Sequence, residues 1–310
     1  MNELSSHDIK RGRLAPTPSG LLHLGNARTF LATWLSMRSQ GGEIILRIED
    51  IDRGRSRPEF EEAELRDLEW LGLDWDIGPV RQSERFEHYR EALEGLIALD
   101  LAYPCVCTRR DIEAASAPHD EGGERLYPNT CRGRFASLAE AEAAAIGPVA
   151  WRVKAETGPT EVNDIVQGKH AFDTQALVGD FVVWTKEGWP SYQLAVMVDD
   201  ALQGISEVVR GRDLLASAAR QIELADALSM PHAKRWAHLG LVTETGQRMA
   251  QRAGSTALAA LRESGIPAEQ VLGRLAHGLG LSEHDGPVGL DELIERFDWA
   301  RIPAADLELG

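Results

Sequence analysis

The run from Arg13 to Arg28, Arg-Leu-Ala-Pro-Thr-Pro-Ser-Gly-Leu-Leu-His-Leu-Gly-Asn-Ala-Arg, decides how the chain is read. Pro16 and Pro18 fix two φ angles and disfavour helix at the residues before them, so this piece is a stiff, extended elbow. Gly20 releases the constraint. Beyond it Leu21, Leu24, Ala27, Leu31 and Leu35 recur at helical spacing. A helix is therefore expected to open just past the elbow, with His23 and Gly25 in or near its first turn. Unpaired N–H groups and the positive end of a helix dipole favour an anion there. Gly25 allows a phosphate to approach the backbone closely, and His23 can donate a hydrogen bond to it.

Working outward, the 310 residues suffice for one large domain or two modest ones. An apolar content of 43% and a charged content of 26% are those of a soluble globular protein. No apolar stretch approaches a membrane span, and Met1 to Lys10 is polar with no signal core, so the expected compartment is the cytoplasm. A formal charge of −16 argues against indiscriminate binding of nucleic acid. It leaves room for a structured RNA held by a local basic groove. Cys105, Cys107 and Cys131 cannot all pair, and their clustering reads as a ligand set.

After the opening helix, Gly41-Gly42 breaks the pattern and Glu43 to Ile48 reads as a buried strand ending in Glu49-Asp50-Ile51-Asp52. In an open α/β sheet such acids, beyond a strand's carboxyl end, are placed to meet a ligand. Ser56 and Glu59 around Pro58 suggest a capping box for one helix, and Ser83 the start of another carrying Phe86, Tyr89, Leu93, Leu96 and Ile97. This alternation predicts an α/β fold with a doubly wound, Rossmann-type parallel sheet. From Tyr103 to Phe135 periodicity gives way to Pro, Gly, Cys and charge. Ser137 with Glu140 then caps an alanine-rich helix. Strands are expected at Val149 to Lys154, Glu161 to Val166 and Phe181 to Thr185, a further strand at Ile205 to Val209, and a helix from Asp213. The expected organisation is a first half-domain at 11–101, an inserted subdomain at 102–183, a second half at 184–240 and a helical C-terminal region at 241–310.

Three constellations carry chemistry. Arg13, the Glu49-Asp50-x-Asp52 acids, Arg210 and Tyr192 offer two cations, an acid and a phenol, which suits an acidic amino acid better than an apolar one. Spacing alone leaves an equal case for arginines that merely neutralise neighbouring carboxylates. Cys105, Cys107 and Cys131 can hold a tetrahedral Zn²⁺ if a fourth donor is found, and by ligand preference that donor is His119. The third is Gly246-Gln-Arg-Met-Ala-Gln-Arg252, a basic, polar segment after Leu239-Gly-Leu-Val-Thr.

The Arg-x-Ala-Pro-Thr-Pro-Ser-Gly-x-x-His-x-Gly run resembles the HIGH signature of class I aminoacyl-tRNA synthetases, in its glutamyl and glutaminyl form. Arg47-Ile-Glu-Asp-Ile-Asp52, Tyr192 to Asp200 and Val209-Arg-Gly-Arg-Asp213 resemble further blocks of glutamyl-tRNA synthetase in the same order. The resemblance implies a glutamate pocket of Arg13, Ala15, Thr17, Glu49, Tyr192 and Arg210. It implies ATP, with Mg²⁺, on Arg13, Leu14, Ala15, Pro16, Thr17, His23, Gly25 and Gln251. Catalytic positions carried over are His23, Gly25, Asn26, Arg248 and Gln251. Two depart from the pattern: Asn26 replaces the second His of HIGH, and Gln251 the second lysine of KMSKS, with Arg248 and Arg252 flanking it. The Cys-x-Cys and Tyr-x-x-x-Cys spacing resembles that of the small glutamyl-queuosine tRNA(Asp) synthetases and implies Tyr127 as the fourth ligand of one structural zinc. So does the short tail after residue 252, with no room for an anticodon-binding domain. That resemblance implies tRNA-independent activation of glutamate, then its transfer to queuosine in the anticodon loop of tRNA(Asp) by a monomer. A truncated enzyme charging a tRNA 3′ end and a non-catalytic glutamate- or RNA-binding paralogue are the competing expectations.

Overall fold

In the computed structural model, which describes residues 9–115, 126–244, 247–248 and 257–309, the proline elbow joins strand β1 (Arg11–Leu14) to helix α1 (Leu24–Ser39). Strand β2 (Glu43–Ile48) follows and pairs parallel to β1, with Arg13 opposite Ile45. Helix α2 (Pro58–Trp70), the parallel strand β3 (Ile77–Arg81) and helix α3 (Phe86–Ala98) complete this part. Next come β4 (Ala102–Cys105), α4 (Arg109–Ala115), α5 (Leu138–Ala144), β5 (Ala150–Val153), β6 (Pro159–Asp164), β7 (Gly168–Asp173), α6 (Thr174–Leu177) and β8 (Phe181–Trp184). Helix α7 (Tyr192–Leu202), β9 (Glu207–Gly211), α8 (Leu215–Ala227) and β10 (Arg235–Leu239) return to the first strands. The chain continues through β11 (Val242–Glu244), β12 (Gln247–Arg248), α9 (Leu258–Glu263), α10 (Ala268–Gly278), α11 (Leu290–Arg296) and β13 (Leu307–Leu309).

The sheet is mixed where a parallel one was expected. β1, β2 and β3 are parallel neighbours; β9, β10 and β6 are parallel too, with β7 antiparallel outside β6. β1 lies beside β9, because the Ser206 N–H donates to the Arg11 carbonyl at 2.9 Å and Arg13 Nη1 to the Val209 carbonyl at 3.1 Å. The two sheets, β1-β2-β3 and β9-β10-β6-β7, thus lie edge to edge in the spatial order β3-β2-β1-β9-β10-β6-β7. Connections run outward in opposite directions from β1 and β9, and such a switch point opens a crevice at the strands' carboxyl ends.

Within 102–183, only β4, β5 and β8 make an antiparallel sheet of their own. The β6–β7 hairpin joins the main sheet instead, with Asp164 paired to Trp236. Alternation explains it: Val162 and Asp164 are buried while Glu161 and Asn163 are exposed, and Val162 packs with Val208 and Trp236.

Helix α1 is covered on more sides than its apolar stripe predicts. From Ala27 to Met37 every residue but Thr29 is buried, including Arg28, Thr33 and Ser36. The tail supplies the extra cover, since α10 and α11 pack on α1 and bring Val271, Leu272, Leu275 and Leu293 into its core. Truncating Leu31 or Leu35 there to Ala costs about 2–5 kcal/mol. Leu21 precedes the first turn and is exposed.

Two helix starts differ from expectation. Helix α2 begins at Pro58 with Arg57 as an N-cap that makes no side-chain cap, so no Ser56–Glu59 box forms; proline's fixed φ sets the first turn. Helix α3 begins at Phe86 rather than Ser83, because the Ser83 amide and hydroxyl are taken by Asp50 at 2.8 and 2.5 Å. Ser137 caps α5 as expected, accepting from the Glu140 amide.

Candidate active site

A cleft of about 490 Å³ opens where β1 and β9 part. Arg13, Ala15, Pro16, Thr17, His23, Gly25, Asn26, Glu49, Tyr192 and Arg210 all line it. Residues up to 197 positions apart in sequence thus share one space, as the order of strands requires. Leu14 does not. Alternation along β1 turns its side chain away from Arg13 and into the core.

At one end, His23 is the N-cap of α1. Its Nδ1 accepts from the Gly25 amide at 3.1 Å, and Asn26 Oδ1 accepts from the His23 amide at 3.2 Å. Asn26 therefore closes a reciprocal capping box. In a neutral ring that accepts through Nδ1, the proton sits on Nε2. A Cβ on Gly25 would fall 2.9 Å from His23 Cε1, so the small residue is what lets the ring lie over the helix end.

The floor is a buried charge network. Asp200 Oδ1 lies 2.7 Å from Arg47 Nη1 and 3.4 Å from Arg13 Nε. Arg47 Nη2 also reaches Glu49 at 3.2 Å, and its Nη1 reaches Gln203. Burial works against the charge of Arg47, but Asp200 and Glu49 outweigh it and hold its pKa above the ordinary value. Arg13, with Asp200 shared and Arg47 close by, is pulled below its ordinary value by burial. Burial also raises the Glu49 carboxyl, against the pull of Arg47 and Arg13. Of the other acids in that run, Asp50 is spent on Ser83 and Asp52 pairs with Arg55 at the surface, so neither lines the cleft.

Opposite them, Arg210 is held from several sides. Its Nε donates to His238 Nε2 at 2.9 Å, Nη1 to Gln221 Oε1 at 2.9 Å and Nη2 to the Leu214 carbonyl at 3.1 Å. Tyr192 Oη is 3.5 Å from Nη1, and the guanidinium lies over the Trp236 ring. The far wall comes from Gly240, Leu241 and Val242, at the start of the β11–β12 hairpin. Arg248 lies on β12, while Gln251, Arg252 and His119 fall outside the described residues.

Away from the cleft, the three sulfurs of Cys105, Cys107 and Cys131 lie within 4.8 Å of one another. Tyr127 Oη stands 3.4 Å from Cys105 Sγ and 3.7 Å from Cys107 Sγ, and accepts from the Cys131 amide at 2.9 Å. A tetrahedral zinc with Zn–S near 2.3 Å sets its sulfurs about 3.8 Å apart. The cluster matches that size and donor chemistry. Arg152 donates to Cys105 Sγ at 3.3 Å and stacks on the Tyr127 ring, a cation beside the sulfurs.

Residues 10–305 match the family described as tRNA synthetases class I (E and Q), catalytic domain. The glutamyl-Q tRNA(Asp) synthetase of Symbiobacterium thermophilum is 47% identical, over 94% of this chain and 93% of that one. That of Rhodopirellula baltica is 42% identical over the same shares. The chain belongs to the glutamyl-Q tRNA(Asp) synthetase family of class I tRNA synthetases. A glutamate tRNA ligase from Elizabethkingia meningosepticum, solved in complex with its amino acid, is similar in structure as well. It is 29% identical with a TM-score of 0.81, over 98% of this chain and 67% of the other.

Several residues around the cleft of this synthetase had no role in the sequence reading. Asp200 and Arg47, the floor's ion pair, sit in quoted blocks but give no sign of facing each other. Gln221 and His238, which hold Arg210, and Asp164, which holds His238, come from three separate elements. Asp199 turns the other way from Asp200 and ties α7 to Gln82, Arg85 and Tyr89. Alternate use of adjacent acids is a signal that could have been sought; the distant partners of Arg210 left none.

Proposed function

We propose that the chain activates L-glutamate with ATP and transfers it to queuosine in the anticodon loop of tRNA(Asp). A glutamate α-carboxylate oxygen attacks the ATP α-phosphate, giving glutamyl-adenylate and expelling pyrophosphate. A queuosine hydroxyl then attacks the activated carbonyl, forming an ester and releasing AMP. The protein's part is positioning and charge stabilisation.

The carrying observation is that Arg13 and Arg210 line one cleft together with Glu49, above the buried Arg47–Asp200 ion pair. The two guanidiniums that line the cleft, with Glu49 beside them, suit the two carboxylates and one ammonium group of L-glutamate. Arg210 and Arg13 face its carboxylates, Glu49 accepts from its ammonium group, and Tyr192, Ala15 and Thr17 complete the pocket. His23, Gly25 and the α1 N-terminus hold the ATP phosphates, which arrive with Mg²⁺, while Arg13, Ala15 and Pro16 flank the nucleotide. Arg248 and Gln251, at the positions that match KMSKS, are assigned to the ATP phosphates. The match to relatives named for the queuosine-linked activity, over nearly their full length, supports this acceptor over a tRNA 3′ end.

Cys105, Cys107, Tyr127 and Cys131 would hold one zinc, closed to solvent ligands and structural in role. We assign 11–101 and 184–240 to the two catalytic halves, with the β6–β7 hairpin added to their sheet, the rest of 102–183 to the zinc-bearing insertion and 241–310 to the loop and helical tail. The expected setting is the cytoplasm, as a monomer; no helix among the described residues is long and apolar enough to cross a membrane. Pyrophosphate exchange tests the reading. It should depend on glutamate without tRNA, and Arg210→Ala should raise the glutamate KM far more than the ATP KM. Equal loss of both would count against the pocket.

A further inference from the structure

We infer that His238, oriented by Asp164, is a positioning residue that sets the plane of the Arg210 guanidinium and thereby the enzyme's grip on the glutamate carboxylate. This inference rests on the glutamate pocket proposed above.

The geometry is a three-membered chain buried behind the cleft. Asp164 Oδ2 lies 2.6 Å from His238 Nδ1, and His238 Nε2 lies 2.9 Å from Arg210 Nε. Neither His238 nor Asp164 has an exposed side chain. Arginine can only donate, so His238 Nε2 must accept, and its ring proton must therefore be on Nδ1, where the carboxylate receives it. One tautomer satisfies both contacts. The other sets two N–H groups against each other at Arg210 and two lone pairs against each other at Asp164.

Asp164 is itself fixed. It accepts from the amides of Val166, Gln167 and His238, at the point where β6 pairs with β10. Trp236, two residues before His238 on the same strand, stacks on the imidazole and also underlies the guanidinium. Burial and the charge of Arg210 hold the imidazole down to about 4 despite Asp164, with Arg13 acting in the same direction, so the ring is neutral.

The consequence lies in which donors remain. Nε is spent on His238, one N–H of Nη1 on Gln221 and one of Nη2 on the Leu214 carbonyl. That leaves one N–H on Nη2 and, on Nη1, one shared with the Tyr192 hydroxyl at 3.5 Å. A planar fork recognises a carboxylate only when its plane is fixed, and the Nε contact acts with those of Nη1 and Nη2 to remove rotation about the side chain's axis.

The experiment pairs pyrophosphate-exchange kinetics of the full chain with ¹⁵N NMR of the imidazole. In the parent protein, Nδ1 of His238 should show the shift of a protonated nitrogen and Nε2 that of an unprotonated one across neutral pH. His238→Leu, which removes the acceptor, should raise the glutamate KM about 10- to 100-fold while the ATP KM stays within about 2-fold. His238→Gln, which offers an acceptor near the Nε2 position, should recover most of that loss. Asp164→Asn can donate to Nδ1 and so drive the proton to Nε2; it should raise the glutamate KM as His238→Leu does, with the ring still present. A proton on Nε2 in the parent protein, or an unchanged glutamate KM in folded Asp164→Asn and His238→Leu, overturns the positioning role alone. Parent protein without glutamate-dependent exchange overturns the pocket and this inference together.

Discussion

Glu64 on α2 provides a test that needs no substrate. It is fully buried in the wall of the cleft, and neither carboxylate oxygen has a hydrogen-bond partner among the described residues. Burial, with Glu61 and Asp67 nearby, raises its pKa from 4.5 to about 9. The folded chain therefore keeps a proton that the unfolded chain releases above about 4.5. Stability from this group is complete below that value and falls as pH rises toward 9, by about 1.4 kcal/mol for each pH unit. Glu64→Gln keeps the shape of the neutral acid and cannot ionise. The stability gap between variant and parent should widen in the variant's favour by about 4 kcal/mol between about pH 5 and about pH 8. Urea unfolding across that range, with matched m-values, measures it. A gap that stays constant with pH would refute the reasoning, since it would mean that Glu64 titrates alike in both states.

Three further outcomes follow from named contacts. Cys105→Ser should lower zinc content, read by metal analysis of purified protein, and destabilise the region around β4, β5 and β8 while leaving some adenylate formation; parent protein without metal would void the ligand assignment. Asn26→Ala removes one half of the α1 capping box and should cost about 0.5–2 kcal/mol by thermal unfolding, with the ATP KM rising more than the glutamate KM. Asp200→Asn strips Arg13 and Arg47 of their shared carboxylate and should cost about 3–5 kcal/mol, because two guanidiniums are left under-compensated in the interior. A melting temperature equal to the parent's would show that the pair is not held as described.

What could be read before the fold was known is uneven, for physical reasons. The elbow and α1 were legible because Pro16, Pro18 and Gly20 restrict the backbone locally and the leucines repeat at a helical period. The strand Glu43 to Ile48 was legible as a continuous apolar run. β3 was not, since Gly78 and Pro79 interrupt Ile77–Arg81, and neither was β7, whose exposed Gly168–Asp173 has little apolar content. The capping boxes show the limit of local rules. Ser137 caps α5 as its sequence suggests, but Ser83 is claimed by Asp50, a partner set by tertiary structure. The cleft residues Arg13, Glu49, Tyr192 and Arg210 were identifiable by their resemblance to a known family, whereas His238 and Asp164 depend on β6 and β10 becoming neighbours. No local pattern announces that pairing.

The most direct test of the account is transfer of radiolabelled glutamate by the purified chain with ATP. Queuosine-containing tRNA(Asp), the same tRNA without queuosine, and tRNA(Glu) serve as parallel acceptors. Label should enter only the first and remain after periodate-blocking of the 3′-terminal ribose with queuosine protected. Label on tRNA(Glu), or equal label on both forms of tRNA(Asp), would contradict the central claim.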